Sequence, residues 1–160
     1  DHGGMGAELA RQASLARRVA VKRLHTDRPG AAQDLVREAR TAAALQHPNI
    51  VPVHFLGRDA QGRPAMVLKH VEGVRWSTLI ETPDRRPFGK DPLAFHLDVL
   101  LKVCDAIDFA HSRGILHRDI KPSNLMLGDN GETLVVDWRS QSPSWATPAT
   151  GPRVTFSRVR

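Results

Sequence analysis

The chain of 160 residues has a single cysteine, no tyrosine, and only 5% aromatic residues. Cys104 alone cannot close an internal disulfide, which excludes a disulfide-stapled scaffold. A lone thiol is compatible with a reducing cytoplasm, the location expected for the chain. No apolar run approaches the roughly 20 residues a membrane helix needs, so any membrane anchor would lie outside this chain. The start, Asp1-His2-Gly3-Gly4, lacks the basic-then-apolar order of a secretory signal. Internal repeats are absent, and the eight histidines show no zinc-ligand spacing. Acidic residues are missing from 139–160, where Arg139, Arg153, Arg158 and Arg160 supply +4 of the net charge of +6 and leave +2 to residues 1–138. That distribution argues for a solvated tail and against nucleic acid as a partner. The remaining composition, 41% hydrophobic and 25% charged, excludes a wholly disordered chain, and the length suits one domain with a real core.

Periodicity then gives the elements. Val19 to Leu24 reads as a strand ended by Arg28-Pro29-Gly30. Ala31 to Gln46 reads as a helix with a stripe through Leu35, Val36, Ala39, Ala42, Ala43 and Leu45, and His47-Pro48-Asn49 stops it. Ile50–Leu56 and Ala65–Val71 read as strands joined by the turn Asp59-Ala60-Gln61-Gly62. A polar, proline-containing loop, Thr82–Pro87, precedes the longest helix signal. Asp91 caps that helix, Pro92 suits its first turn, and Leu93, Leu97, Leu100, Leu101, Cys104 and Ile107 share a face. Leu125–Leu127 and Thr133–Val136 read as short strands about the turn Asp129–Glu132, and after Trp138 periodicity is lost.

The chemistry concentrates in His117-Arg118-Asp119-Ile120-Lys121-Pro122-Ser123-Asn124. Between a long helix and two strands, this places a carboxylate, a cation and an amide close together. The carboxylate can accept a hydroxyl proton, the lysine can offset phosphate charge, and the amide can ligate a metal. The segment resembles the catalytic loop of protein kinases, H-R-D-x-K-P-x-N, and Lys121-Pro122 resembles the serine/threonine type.

Other parts follow in the same order. Gly3-Gly4-Met5-Gly6 resembles the second half of a kinase glycine-rich loop, in which small residues let backbone N–H groups approach phosphate oxygens. The full pattern departs at Asp1 and Glu8. Val19-Ala20-Val21-Lys22 resembles V-A-I-K, and the resemblance implies that Lys22 holds the α- and β-phosphates with Glu38 as its counter-charge. It also implies that Leu68 is a gatekeeper and that Lys69-His70-Val71 is a hinge whose backbone meets adenine. Asp137-Trp138-Arg139 falls where the family has D-F-G, with Trp for Phe and Arg for Gly. Asn124 and Asp137 are the implied ligands of Mg²⁺, both oxygen donors. His117 is expected to pack and hydrogen-bond rather than catalyse, Cys104 to lie buried on its helix, and Trp76 to pack.

The resemblance implies an α+β fold like a bilobal kinase. Residues 1–68 would form a small antiparallel lobe with one helix, 69–73 a hinge, and 74–138 a partial, mainly helical lobe; 139–160 is an unassigned basic tail. It implies ATP and Mg²⁺ as cofactors, and transfer of phosphate to serine or threonine of a protein substrate, with Asp119 accepting the proton and Lys121 steadying the γ-phosphate. No activation segment or A-P-E motif follows Trp138, so the expectation is a domain truncated or frameshifted there. One face of the 91–112 helix is then expected to be exposed. Two other classes remain open at this point: a catalytically inactive nucleotide-binding or interaction module, and a nucleic-acid-binding module driven by the tail.

Overall fold

The computed structural model describes residues 5–24, 28–82 and 91–138. Strand β1 (Met5–Gln12) turns through a short 3-10 segment into β2 (Arg17–Leu24), and the two pair antiparallel along their whole length. Helix α1 (Ala31–Ala44) follows, then the hairpin of β3 (Val53–Arg58) and β4 (Pro64–Lys69). The sheet order is β1-β2-β4-β3. Its two faces follow from the strand period of two. Leu24 and Met66 turn toward α1 and meet Leu35 and Ala39, whereas Val19, Val21 and Ala65 cluster on the opposite side. Leu35 is fully buried there, a contribution of about 2 kcal/mol from its apolar surface.

Beyond β4 the chain makes β5 (Gly73–Arg75), α2 (Trp76–Glu81) and α3 (Pro92–His111), then a 3-10 turn at Pro122–Asn124 and the hairpin of β6 (Leu125–Gly128) and β7 (Thr133–Val135). The second sheet has the order β5-β6-β7. Helix α3 starts where the sequence places it: the Asp91 carboxylate accepts from Ala94 N–H at 2.8 Å, with Pro92 in the first turn. The main core joins Trp76, Leu79, Val99, Val103, Leu125, Val135 and Trp138. Trp76 packs as expected, donating its indole N–H to His96 Nδ1 at 2.9 Å.

The link His47–Val51 ties the two sheets together. Ile50 makes an isolated parallel bridge to Val135, the amide of Val135 donates to Asn49 O at 2.8 Å, and Asn49 Nδ2 donates to Thr133 O at 2.9 Å. For that reason the expected strand from Ile50 begins only at Val53. Other expectations are corrected. β1 runs over Met5 and Gly6, which the sequence reads as loop, and α2 was not legible. Cys104 is exposed, not buried. The buried face of α3 is Val99, Val103, Ala106 and Ala110, whereas Leu93, Leu97, Leu100 and Leu101 face outward. Gly3, Gly4, most of the 82–87 loop and the whole 139–160 tail lie outside the described residues. Among the described residues no helix is long and apolar enough to cross a membrane.

Candidate active site

A cavity of about 420 Å³ opens between the four-stranded sheet and the second sheet, within the size range of small-ligand sites. Ala7, Glu8, Leu9 and Ala20 border it from β1 and β2, Met126 from β6, and Leu68, Lys69, His70 and Val71 along one side. The alternation that puts Lys22 on the cavity face of β2 puts Ala20 there too, so Ala20 was readable from Val19-Ala20-Val21-Lys22. Met126 was readable in the same way, from its position between the buried Leu125 and Leu127, but the sequence reading assigned neither residue to the site.

Lys22 stands at the back of the cavity, with its side chain 7% exposed. Its Nζ donates to Glu38 Oε1 at 2.6 Å and to Asp137 Oδ1 at 2.9 Å. Three distant stretches of sequence thus converge: β2 supplies the ammonium, α1 one carboxylate, and the segment after β7 the other. Burial alone would depress the lysine pKa, but the charges of Glu38 and Asp137 outweigh it and hold the ammonium above its ordinary 10.5. Glu8 borders the cavity from β1, but it pairs in register with Val21, so its carboxylate turns to the opposite face of the sheet, 3.4 Å from Arg23 Nη1.

Asp119, Lys121 and Asn124 form a second cluster. Lys121 Nζ lies 3.0 Å from Asp119 Oδ2. Asn124, only 4% exposed, donates through Nδ2 to the Asp119 carbonyl at 2.8 Å and to its carboxylate at 3.1 Å. The amide nitrogen is thereby committed, which leaves the amide oxygen as the end able to meet a cation. His117 is buried under the loop: Nε2 lies 2.9 Å from the Val136 carbonyl, Nδ1 accepts from Asp119 N–H at 3.3 Å, and the ring meets Trp138 edge-on at 4.7 Å. One imidazole therefore joins the Asp119 loop to the strand end that carries Asp137. Arg118 and Asp137 both adopt left-handed backbone, with φ of 66° and 61°. Such strain costs on the order of 1–3 kcal/mol per residue and gathers at functional sites.

Along the cavity's side, Lys69 N–H donates to Pro52 O at 3.0 Å, and its ammonium pairs with Glu132. Met5 and Gly6 sit on the backbone of β1. Among the described residues, no group of three or more His, Cys, Asp or Glu side chains is arranged to hold a metal. Asn124 and Asp137 alone suit a cation that keeps several waters and takes phosphate oxygens as further ligands, as Mg²⁺ does.

In sequence, residues 3–142 match the protein kinase domain family. The serine/threonine-protein kinase PknD of Chlamydia trachomatis serovar D is 36% identical over 146 residues, which cover 85% of this chain and 16% of that protein. PknD of Chlamydia muridarum is 34% identical over 146 residues. The chain thus spans about 16% of the length of these curated relatives. In structure, the chain resembles PpkA-294 in its apo form, with a TM-score of 0.71 and 21% identity over 86% of this chain and 55% of that one, a likeness of fold.

Proposed function

Because this chain belongs to the protein kinase domain family, we propose that it encodes ATP-dependent phosphoryl transfer to serine and threonine hydroxyls of protein substrates. The observation that carries this reading is the buried Lys22, held between Glu38 and Asp137 at the back of a nucleotide-sized cavity. Lys22 would meet the α- and β-phosphates, and Glu38 would keep it charged and aimed. Gly3, Gly4, Met5 and Gly6 would cover the phosphates. The backbone at Lys69 and Val71 would meet adenine; since Lys69 N–H is already taken by Pro52, its carbonyl is the group offered. Asp119 would orient the substrate hydroxyl and accept its proton, and Lys121, 3.0 Å away, would shift from Asp119 toward the γ-phosphate. Asn124 and Asp137 would hold Mg²⁺, which when bound offsets charge on the phosphate oxygens. Residues 1–68 would act as the small lobe, 69–73 as the hinge and 74–138 as the partial large lobe. Phosphoryl transfer asks chiefly for positioning and charge stabilisation, which is what these side chains supply.

A second reading, a kinase-like module that binds nucleotide without transfer, is favoured by Arg139, which stands after Asp137-Trp138 where the family has glycine. Titration calorimetry of the chain with ATP and Mg²⁺ tests the first step, and transfer of labelled phosphate to a serine-rich protein tests the second. Saturable binding lost in Lys22→Ala and Asp137→Ala, with transfer lost in Asp119→Ala, is the expected result. Binding without transfer supports the second reading, and no binding by a folded chain overturns both.

A further inference from the structure

The face of the four-stranded sheet turned away from the cleft carries a second cavity, of about 360 Å³. Its floor is apolar: Val19, Val21 and Ala65 are buried, with Ala10 and Val67 packed against them. One wall is Phe55, which stays 61% exposed while its ring lies over Gly57, so close that a Cβ at Gly57 would sit 2.3 Å from the ring. The rim is cationic, formed by Arg11, Arg23 and Arg58. Arg23 reaches Glu8 at 3.4 Å through Nη1, while its Nε is buried with no hydrogen-bond partner among the described residues. The acid in the lining, Asp59, is already satisfied: it accepts from the amides of Gln61 and Arg63 and from Arg63 Nε at 3.1 Å. At this groove four arginines, Arg11, Arg23, Arg58 and Arg63, stand against two carboxylates, Glu8 and Asp59, so the field over it is positive.

We propose that this groove docks an acidic peptide segment of a partner protein, with an apolar side chain seated on the Val19–Val21–Ala65 floor and carboxylates on the arginine rim. Charge selects that occupant. The chain's own 139–160 segment has four arginines and no acid, and the rim would repel it. A second copy could offer acids from α3, Asp98, Asp105 and Asp108. That contact would join unlike surfaces and would not close. An anionic membrane would suit the arginines but not a concave apolar floor. Arg23 is only loosely paired with Glu8 and its Nε has no hydrogen-bond partner among the described residues, which favours a carboxylate, since charge-assisted bonds are roughly twice as strong as neutral ones.

The test is fluorescence anisotropy with a labelled short peptide alternating Glu with Leu and Phe, against the same peptide with Ser in place of Leu and Phe. Vesicles of phosphatidylserine and phosphatidylcholine serve as the third arm. The proposal expects saturable binding of the first peptide only, weakened about tenfold or more by Arg11→Glu and by Phe55→Ser. Both positions are exposed, so melting temperatures of the variants should match the parent. Absence of saturable binding, equal binding of the two peptides, insensitivity to both substitutions, or binding to vesicles alone would each overturn it. Peptide-independent self-association lost in Arg11→Glu would overturn it in favour of a second copy.

Discussion

His117 has both ring nitrogens engaged at 2% exposure, one toward Val136 O and the other accepting from Asp119 N–H. Burial pushes its pKa below the ordinary 6.5, against the opposing pull of the Val136 carbonyl and of Asp119 and Asp137. The folded chain then binds fewer protons than the unfolded one. Stability from this group is full above pH 6.5 and is lost as pH falls through the folded value. Unfolding free energy should therefore fall from about pH 7 to about pH 5, by at most about 1.4 kcal/mol per pH unit for one proton. Urea titrations of His117→Asn should show a flatter profile. His54, lowered by burial and by Arg17 and Lys69, adds acid lability of the same sign from an exposed site and remains in that variant. Glu38 supports a second prediction. Glu38→Gln leaves Lys22 buried with Asp137 alone and should cost about 3 kcal/mol, the lower end for breaking a buried pair. Denaturant unfolding of the two single variants and of Glu38→Gln with Lys22→Met measures the coupling. The residue types of this site were legible because phosphate chemistry restricts them. The His117 bond to Val136, 19 residues on, was not, since no local pattern encodes it.

Long, periodic elements were legible, and short ones held by contacts were not. α1 and α3 carry helical spacing and end signals, and their observed bounds lie close to the predicted ones. β5 has three residues, no alternation to read, and exists through pairing with β6. Gly73 shows how tight that pairing is: a Cβ there would lie 1.9 Å from the Leu127 carbonyl oxygen. Because the obstacle is backbone, Gly73→Ala should destabilise by about 2 kcal/mol or more and lower the melting temperature, whereas Gly62→Ala, in open space, should cost less, through its φ of +76° alone. Helix α3 misleads in a different way. Its four leucines form the more conspicuous stripe, yet Val99, Val103, Ala106 and Ala110 face the core, because small side chains let the helix approach β7 and Trp138 closely.

Across the whole molecule, the outward face of α3, with Leu93 at 67% and Leu101 at 64% exposure, is apolar surface with no cover among the described residues. Replacing Leu97 and Leu101 together with Lys should change stability by only about 0.5 kcal/mol, since exposed side chains are replaced, and should lower binding of an apolar dye. Loss of several kcal/mol would mean these leucines are buried in solution. Charge is also divided at this scale. Residues 5–24 and 28–69 are strongly basic, whereas 70–82 and 91–138 hold five Lys and Arg against ten Asp and Glu. The total of +2 over 1–138 conceals that division, because a sum along the chain carries no position in space. By itself, the sequence determined the elements with strong periodicity and the chemistry of the Lys22, Asp119, Asn124 and Asp137 positions, because spacing and residue type are local properties. Only the tertiary structure decided that Lys22, Glu38 and Asp137 meet within hydrogen-bonding distance, which face of α3 is buried, and that three arginines ring an apolar floor. Those facts depend on contacts between segments far apart in the chain, and packing alone sets them.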